Sequence, residues 1–310
     1  MAVKSDVEKL VQPGVASFPE SALTDTAVAA SYLARARATR PRPEAEHVEH
    51  VEQVTLDGGL ALRIYRPGGS GPFPTIVFFH GGGWVLGDLE MHDSTCRKLA
   101  NGVQAVVVNV DYRLAPEHPF PAGLDDCFGA TKWASENIQE YGGDPSRLVV
   151  AGTSAGGNLA VAVALKSLHE PSFTLALQVL IYPVIDSDMS TESYREYAVG
   201  YSLEHKQMKW FLSQYVPDES LRTDPLVSPW HAPSLAGLPS AIIVTAECDP
   251  LRDEAERFAS RLKAEGVAAE LTRYDGQIHG FMGLFGIVHD ADIAIERLCS
   301  EIRDHVYHDG

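Results

Sequence analysis

Short apolar runs that alternate with helical segments limit the fold of this chain more than any other feature of its sequence. Each run has four to six residues without strict polar alternation, which is typical of strands that a parallel sheet buries on both faces. The runs are Pro74–Phe79, Ala105–Val110, Leu148–Ala151, Leu177–Tyr182 and Ala241–Ala246. Helical patterns lie between several of them, at Leu124–Glu140, Ser154–His169 and Arg252–Glu265. This alternation predicts an α/β fold with helices on both sides of the sheet.

The remaining patterns predict the outer elements of the fold. Two N-terminal helices are expected, because apolar residues recur at helical spacing over residues 3–11 and alanine is frequent over residues 21–40. A β-hairpin is expected around Asp57-Gly58-Gly59, a turn sequence between two strand-forming stretches. Those two stretches, and the strand and helix expected at the end of the chain, are His47–Leu56, Leu60–Tyr65, Ala268–Tyr274 and Ala291–Val306.

One connection is too long for a simple crossover between strands. It runs from Tyr182 to Ala241 and includes a helical pattern at Leu203–Val216. Connections of this length usually have a function, such as covering a binding site. We therefore expect a lid at this point of the fold.

Composition and charge exclude several classes of partner. The chain has 25 lysine and arginine residues against 42 aspartate and glutamate residues, a formal net charge of −17. This charge repels phosphate backbones and anionic lipids, so neither nucleic acid nor membrane is an expected partner. The sequence contains no apolar run of about 18 residues and no apolar signal-peptide core at its start. Four scattered cysteines match neither a disulfide scaffold nor a metal site, so a cytoplasmic protein without bound metal is expected.

Gly152-Thr153-Ser154-Ala155-Gly156 matches the pattern G-x-S-x-G where a predicted strand meets a predicted helix. A serine nucleophile on such a sharp turn requires strained backbone angles, and the flanking glycines leave room for them. The alternative is a glycine-rich loop that merely starts a helix, because the pattern alone is short. Its position at the strand–helix junction favours Ser154 as a nucleophile.

His80-Gly81-Gly82-Gly83-Trp84 directly follows another predicted strand. Consecutive glycines expose backbone N–H groups to a developing oxyanion, and the amide of Ala155 would complete such a site. The alternative is a phosphate-binding loop, but Leu86 stands where G-x-G-x-x-G requires glycine, and the sequence lacks Gly-Lys-Ser/Thr. An oxyanion-binding loop is therefore the favoured interpretation.

A serine nucleophile needs a base, and the base needs an acid that orients it. His279 follows the last predicted strand between glycines that let its side chain project. Seven other histidines suit this role less well. His47 and His50 lie on an early strand, His118 in a proline-rich loop, His205 in the predicted lid, and His289, His305 and His308 near the C-terminus. His279 is therefore the candidate base.

Four acids follow the predicted strand Ala241–Ala246, namely Glu247, Asp249, Asp253 and Glu254. Asp249 is the first choice because Pro250 fixes it in a turn just beyond the strand. Asp253 is the second choice. Asp253 and Glu254 suit the first turn of the next helix, where acids interact favourably with the helix dipole and need no other explanation.

Five motifs in this order resemble those of the bacterial hormone-sensitive-lipase-like esterases, with Thr153 as in the GTSAG branch. They are His80–Trp84, Tyr112–Glu117, Gly152–Gly157, Asp249–Glu254 and His279–Phe281. The resemblance begins near residue 48 and departs from the family pattern at Ala255, where glycine is common. It implies an α/β-hydrolase fold with a mainly parallel eight-stranded sheet and a helical cap. It also implies hydrolysis of short- to medium-chain carboxylic esters without a cofactor or metal, in a homodimer.

The resemblance also implies roles for particular residues. The catalytic residues would be Ser154 as nucleophile, His279 as general base and acid, and Asp249 as the group that orients His279. The oxyanion would be bound by the amides of Gly81, Gly82 and Ala155. The candidate walls of the substrate pocket, each equally compatible with the hydrophobic core, are Trp84, Tyr182, Leu203, Met208 and Phe281.

The implied architecture divides the chain into four parts. Residues 1–45 and 185–225 would form the cap, and residues 46–184 and 226–310 the catalytic domain. Two rival functions are an amidase or peptidase on the same fold and a non-catalytic binding protein. The second rival is disfavoured because the sequence retains the complete serine, histidine and aspartate set.

Overall fold

Eight strands form one sheet in the computed structural model, which describes residues 3, 4, 7, 18–39 and 41–308. They are β1 (His50–Thr55), β2 (Ala61–Arg66), β3 (Phe73–Phe79), β4 (Val106–Val110), β5 (Gly143–Thr153), β6 (Leu177–Ile181), β7 (Ser240–Cys248) and β8 (Ala269–Ile278). Their order across the sheet is β1-β2-β4-β3-β5-β6-β7-β8. The first two neighbour pairs are antiparallel and the other five are parallel. The predicted eight-stranded, mainly parallel sheet is therefore confirmed.

The predicted hairpin joins β1 to β2. Cα pairing runs from His50 with Arg66 to Thr55 with Ala61. The amide of Leu56 donates to the carbonyl of Leu60 at 2.8 Å across the turn. Two glycines at φ +90° complete this turn, a backbone conformation that side chains with a Cβ rarely adopt.

Eight helices accompany the sheet within the described residues. They are α1 (Thr26–Thr39), α2 (Asp93–Val103), α3 (Ala122–Asn137), α4 (Ala155–Ser167), α5 (Glu192–Glu196), α6 (His205–Tyr215), α7 (Arg252–Ala264) and α8 (His289–His308). The helix expected over residues 3–11 lies almost entirely outside the described residues. None of the eight is both long and apolar enough to cross a membrane.

Helices cover both faces of the sheet, as predicted. Alternate side chains of β3 point to opposite sides, so Val77 and Phe79 join one hydrophobic cluster while Ile76 and Phe78 join the other. The first cluster includes buried residues of α3, α4, α6 and α7, and the second includes those of α2 and α8. Each face of the sheet thus has its own core.

Helices α2 and α5 were not predicted. In α2, Cys96, Leu99, Ala100 and Val103 are buried at helical spacing, so the sequence contained a signal for it. Helix α5 has five residues and begins at a Thr191 side chain that accepts from the amide of Tyr194. A helix this short depends on tertiary contacts, because helix nucleation is unfavourable.

The long connection after β6 is tied to α4 at two points. The side-chain amide of Asn158, which is fully buried, donates to the carbonyl of Val184 at 3.0 Å and to that of Val227 at 2.9 Å. The connection contains α6, which matches the predicted helix at Leu203–Val216. The Asn158 side chain therefore fastens both ends of a segment of about 40 residues to α4.

Substituting Asn158→Ala should lower the free energy of unfolding by about 2–4 kcal/mol, because two buried carbonyl groups lose their donor. Urea unfolding followed by tryptophan fluorescence measures the change. The matched control is Asn137→Ala, whose side chain donates only to Trp133 within its own helix. That control should lose less than about 1 kcal/mol. Equal losses in the two variants would contradict the prediction.

Candidate active site

Three predicted site residues meet at one edge of the sheet. Ser154 follows β5, Asp249 follows β7, and His279 follows β8. These strands are parallel and belong to a continuous block of the sheet, so their carboxyl ends lie at the same edge. Ligand sites of open α/β sheets occur at this edge.

Ser154 occupies a strained turn between β5 and α4. Its φ of +55° with ψ of −118° is unusual for a residue with a side chain. A Cβ on Gly152 would overlap the carbonyl oxygen of Gly156, and a Cβ on Gly156 would overlap the carbonyl oxygens of Phe79 and His80. Both glycines of the G-x-S-x-G pattern are therefore required by packing.

A hydrogen-bonded chain connects the three side chains. His279 Nε2 lies 3.0 Å from Ser154 Oγ, and His279 Nδ1 lies 2.7 Å from Asp249 Oδ2. Asp249 is 0% exposed, and its other oxygen accepts from the amide of Leu251 at 2.9 Å. With the Nδ1 proton directed at Asp249, the Nε2 lone pair is available to the serine hydroxyl.

The other three acids in and after the end of β7 have different partners. Glu247 Oε2 accepts from the amide of Gly276 at 2.6 Å, which braces the end of β8 next to His279. Asp253 accepts from the amide of Ser193, and Glu254 accepts from the amide of Ile185, each at 2.8 Å. The structure therefore brings Asp249 to His279 and directs Asp253, the second choice, elsewhere.

The glycine loop, residues 80–87, departs from the prediction at Gly81. Its amide donates to His92 Nε2 at 3.4 Å, so this N–H is directed at a side chain behind the loop. The loop turns back at once, because Val85 and Leu86 both donate to the carbonyl of Gly82. Within the described residues no acceptor faces the amides of Gly82, Gly83 and Ala155. The amides of Gly82 and Gly83 in the loop, and that of Ala155 at the start of α4, are therefore available to a ligand.

Stacked aromatic rings pack against the glycine loop and support it. The His80 ring stacks on Tyr112 with centroids 4.2 Å apart, and the Tyr112 hydroxyl donates to the His80 carbonyl at 2.8 Å. A Cβ on Gly87 would overlap the His80 ring. His80 thus organises the glycine loop.

The predicted pocket residues fall into two groups. The Tyr182 ring lies 4.8 Å from the His279 ring, and the Phe281 ring lies 6.3 Å from that of Tyr182, so both are close to the triad. Trp84 stacks on Tyr215 at 4.5 Å, and it packs in the core with Leu203 and Met208. Trp84, Leu203 and Met208 are thus better described as core residues than as pocket walls.

A cavity of about 470 Å³ opens beside the glycine loop. Its apolar walls come from α1, from the glycine loop, from the Tyr112–Glu117 motif and from α6. They include Ala30, Leu33, Val85, Leu86, Ala115 and Trp210. None of the five predicted pocket residues lines it. Val85 and Leu86 directly follow the His80–Trp84 motif, and this adjacency was the sequence signal that could have identified them.

Glu254 is a buried acid close to the triad. Its side chain is 3% exposed. Burial raises its pKa well above the ordinary range, and the charges of Asp186 and Asp249 raise it further, although amide donors at Ile185 and Asp186 oppose them. These surroundings therefore favour the protonated, neutral form of Glu254. The described residues contain no group of three or more side chains suited to hold a metal ion.

Comparisons with known proteins agree with this fold. The sequence profile of the α/β-hydrolase fold matches residues 76–283. Carboxylic ester hydrolase LipN of Mycobacterium tuberculosis is 42% identical over 269 residues, which cover 83% of this chain and 71% of that protein. Carboxylesterase NlhH of the same species is 39% identical over 308 residues, covering 95% and 94%. A thermostable esterase from Pseudomonas putida superposes with a TM-score of 0.89 at 35% identity, covering 98% of each chain.

Substituting Glu254→Gln should stabilise the fold more at pH 8 than at pH 5. The unfolded chain ionises at the ordinary glutamate pKa and the folded chain does not, so wild-type stability falls as pH rises between the two pKa values. The slope is about 1.4 kcal/mol per pH unit. Glutamine keeps the acceptor for Ile185 without ionising. Urea unfolding at both pH values measures the difference.

The control for this test is Glu136→Gln, an exposed position on α3. It should change the free energy of unfolding equally at pH 5 and pH 8. The same pH-independent result for Glu254→Gln would mean that Glu254 is ionised in the folded protein.

Proposed function

The chain belongs to the α/β-hydrolase family, among the hormone-sensitive-lipase-like esterases, and like its named relatives it is a carboxylesterase; we propose that it hydrolyses short- to medium-chain carboxylic esters through an acyl-enzyme on Ser154. The observation that carries this proposal is the continuous hydrogen-bonded chain from Asp249 through His279 to Ser154. No step of this mechanism needs a metal or a cofactor.

In acylation, Ser154 Oγ attacks the ester carbonyl carbon while its proton passes to His279 Nε2. The tetrahedral intermediate then collapses. The bond between carbon and alcohol oxygen breaks, and the imidazolium gives its proton to the leaving alcohol. Asp249 holds the tautomer and stabilises the imidazolium. In deacylation, water repeats these steps and releases the carboxylic acid.

The oxyanion of each intermediate would be stabilised by the amides of Gly82, Gly83 and Ala155. Gly82 and Ala155 keep the role that the sequence predicts. Gly83 is proposed in place of Gly81 because the Gly81 amide already has an acceptor in His92. Loss of one such donor in an acyl-transfer enzyme raises the activation barrier by about 3–4 kcal/mol.

The cap of this enzyme would consist of residues 1–45 and of residues 185–225, which we call the cap insertion, over a catalytic domain of residues 46–184 and 226–310. Two contacts support a common cap. Phe18 packs edge-on against Tyr32 of α1 and lies 6.0 Å from Trp210 of α6, and the Phe18 amide donates to Glu204 at 3.1 Å. The two parts therefore share one interface above the catalytic edge of the sheet.

The cavity beside the glycine loop would hold one apolar arm of the ester. Its volume of about 470 Å³ lies within the range of small-molecule sites. Leu86, one of its walls, packs directly against Gly82, which links the cavity to the proposed oxyanion hole. Small esters are thus the proposed substrates, and a homodimer and a cytoplasmic location stay predictions.

Initial rates on p-nitrophenyl esters from acetate to palmitate test this function. Wild-type rates should peak at short to medium acyl chains. In Ser154→Ala, kcat should fall about 10⁵- to 10⁶-fold, since the nucleophile is lost. The matched control is Ser260→Ala, an exposed serine on α7, which should retain wild-type rates.

Each other outcome has a distinct meaning. A peak at long acyl chains would make the protein a lipase with a wider cap than proposed. Turnover of p-nitroanilides in place of esters would favour the amidase alternative. Absence of turnover in a folded wild type would refute the catalytic proposal.

The variant Ala30→Trp should narrow the cavity. Ala30 is an exposed residue of α1 at the cavity wall, so a larger side chain fits without disturbing the core. The ratio of kcat/KM for hexanoate to that for acetate should fall about 10-fold or more, as expected when one or two methylene groups lose their site. Ala27→Trp, exposed on the same helix but outside the cavity, is the control. An unchanged ratio in Ala30→Trp would remove this cavity from the substrate site.

A further inference from the structure

Three consecutive residues beyond Asp249 each contact a different part of the cap insertion. Arg252 lies over the ring of Tyr197 at 5.3 Å, and its guanidinium donates to the Tyr197 hydroxyl at 3.3 Å. Asp253 contacts Ser193 and Glu254 contacts Ile185. We call residues 249–254 the acid turn. The acid turn supplies the triad carboxylate and also binds the cap insertion.

The strongest of these contacts joins Ser193 of α5 to the acid turn. The Ser193 amide donates to Asp253 Oδ2 at 2.8 Å, and the Asp253 amide donates back to Ser193 Oγ at 3.3 Å. The Ser193 hydroxyl itself donates to the carbonyl of Pro250 at 2.6 Å. Ser193 is 0% exposed, so water cannot readily replace these bonds.

Asp253 is ionised in this contact. Burial acts to raise its pKa, but the Ser193 amide and the Arg252 guanidinium outweigh burial and lower the pKa below its ordinary value. Arg252 Nε donates to Asp253 Oδ1 at 2.8 Å, so both carboxylate oxygens are engaged. A charged acceptor makes the bond from Ser193 stronger than one between neutral groups.

The bonds of Ser193 lie next to the triad carboxylate. Pro250 directly follows Asp249, and the Arg252 amide donates to the Asp249 carbonyl at 3.1 Å. The Leu251 amide donates to Asp249 Oδ1. A shift of α5 would therefore move the Pro250 carbonyl and, through this tight turn, the carboxylate that holds His279.

We propose that Ser193 and Asp253 are positioning residues, which hold Asp249 in line with His279 and couple this alignment to the seating of α5. The inference rests on the proposed function. Asp249 does not touch the substrate. Weaker bonds between Ser193 and the acid turn should therefore lower kcat and leave substrate binding nearly unchanged. Misplacement of a catalytic group by about 1 Å lowers the rate as much as 100-fold.

Ser193→Ala and Asp253→Asn test the proposal. The first removes the bonds of the hydroxyl with Pro250, Asp253 and Thr191. The second replaces the carboxylate by a neutral amide with a single acceptor oxygen. With p-nitrophenyl butyrate, kcat should fall about 10- to 100-fold in each variant while KM changes less than about 3-fold. The rate of covalent inactivation by a p-nitrophenyl phosphonate should fall in parallel, because it also requires an aligned triad.

Glu192→Gln is the matched control, since it lies on the exposed side of α5 and should keep wild-type kcat and KM. Thermal unfolding identifies variants that are folded at the assay temperature. If Ser193→Ala does not fold, the kcat and KM of Asp253→Asn decide whether the proposal holds. Unchanged kcat in a folded variant, or a loss confined to KM, would overturn the proposal. Wild-type activity beside inactive Ser154→Ala would show at the same time that the proposed function itself stands.

Discussion

The close approach of two backbone turns is the constraint on which the site depends. Gly156, in the first turn of α4, lies against the carbonyl groups of Phe79 and His80 at the end of β3. No side chain fits between them. This contact sets the strained turn of Ser154 beside the start of the glycine loop. Backbone atoms of neighbouring strands thus determine the geometry of the site before any side-chain interaction does.

Features set by local sequence were predictable. The buried runs identified the strands, and the glycines around Ser154 identified its turn, because steric limits on the backbone act within a few residues. The glycine loop was found for the same reason. The direction of one amide within it was not, since the Gly81 amide is directed by His92, which returns to the loop eleven residues later. Long-range contacts of this kind leave no pattern in a single sequence.

Helix α5 could not be predicted either, because it depends on long-range contacts. Its five residues have no helical periodicity to detect, and its place depends on Ser193 meeting the acid turn of a distant strand. The cavity walls were also missed, because residues from α1, the glycine loop and α6 meet only in the folded chain. Aromatic residues such as Trp84 were ambiguous, since a large buried ring suits a pocket and a core equally well.

Four acids lie close together in sequence near the end of β7, and each has a different environment in the fold. Glu247 braces the end of β8, Asp249 holds His279, Asp253 pairs with Arg252, and burial raises the pKa of Glu254 in the core. Only Asp253 has a guanidinium partner to compensate its buried charge. A second uncompensated carboxylate next to Asp249 would disfavour ionisation of both groups. The raised pKa of Glu254 therefore limits the negative charge beside the triad carboxylate, while the bond of Glu254 to Ile185 holds the cap insertion.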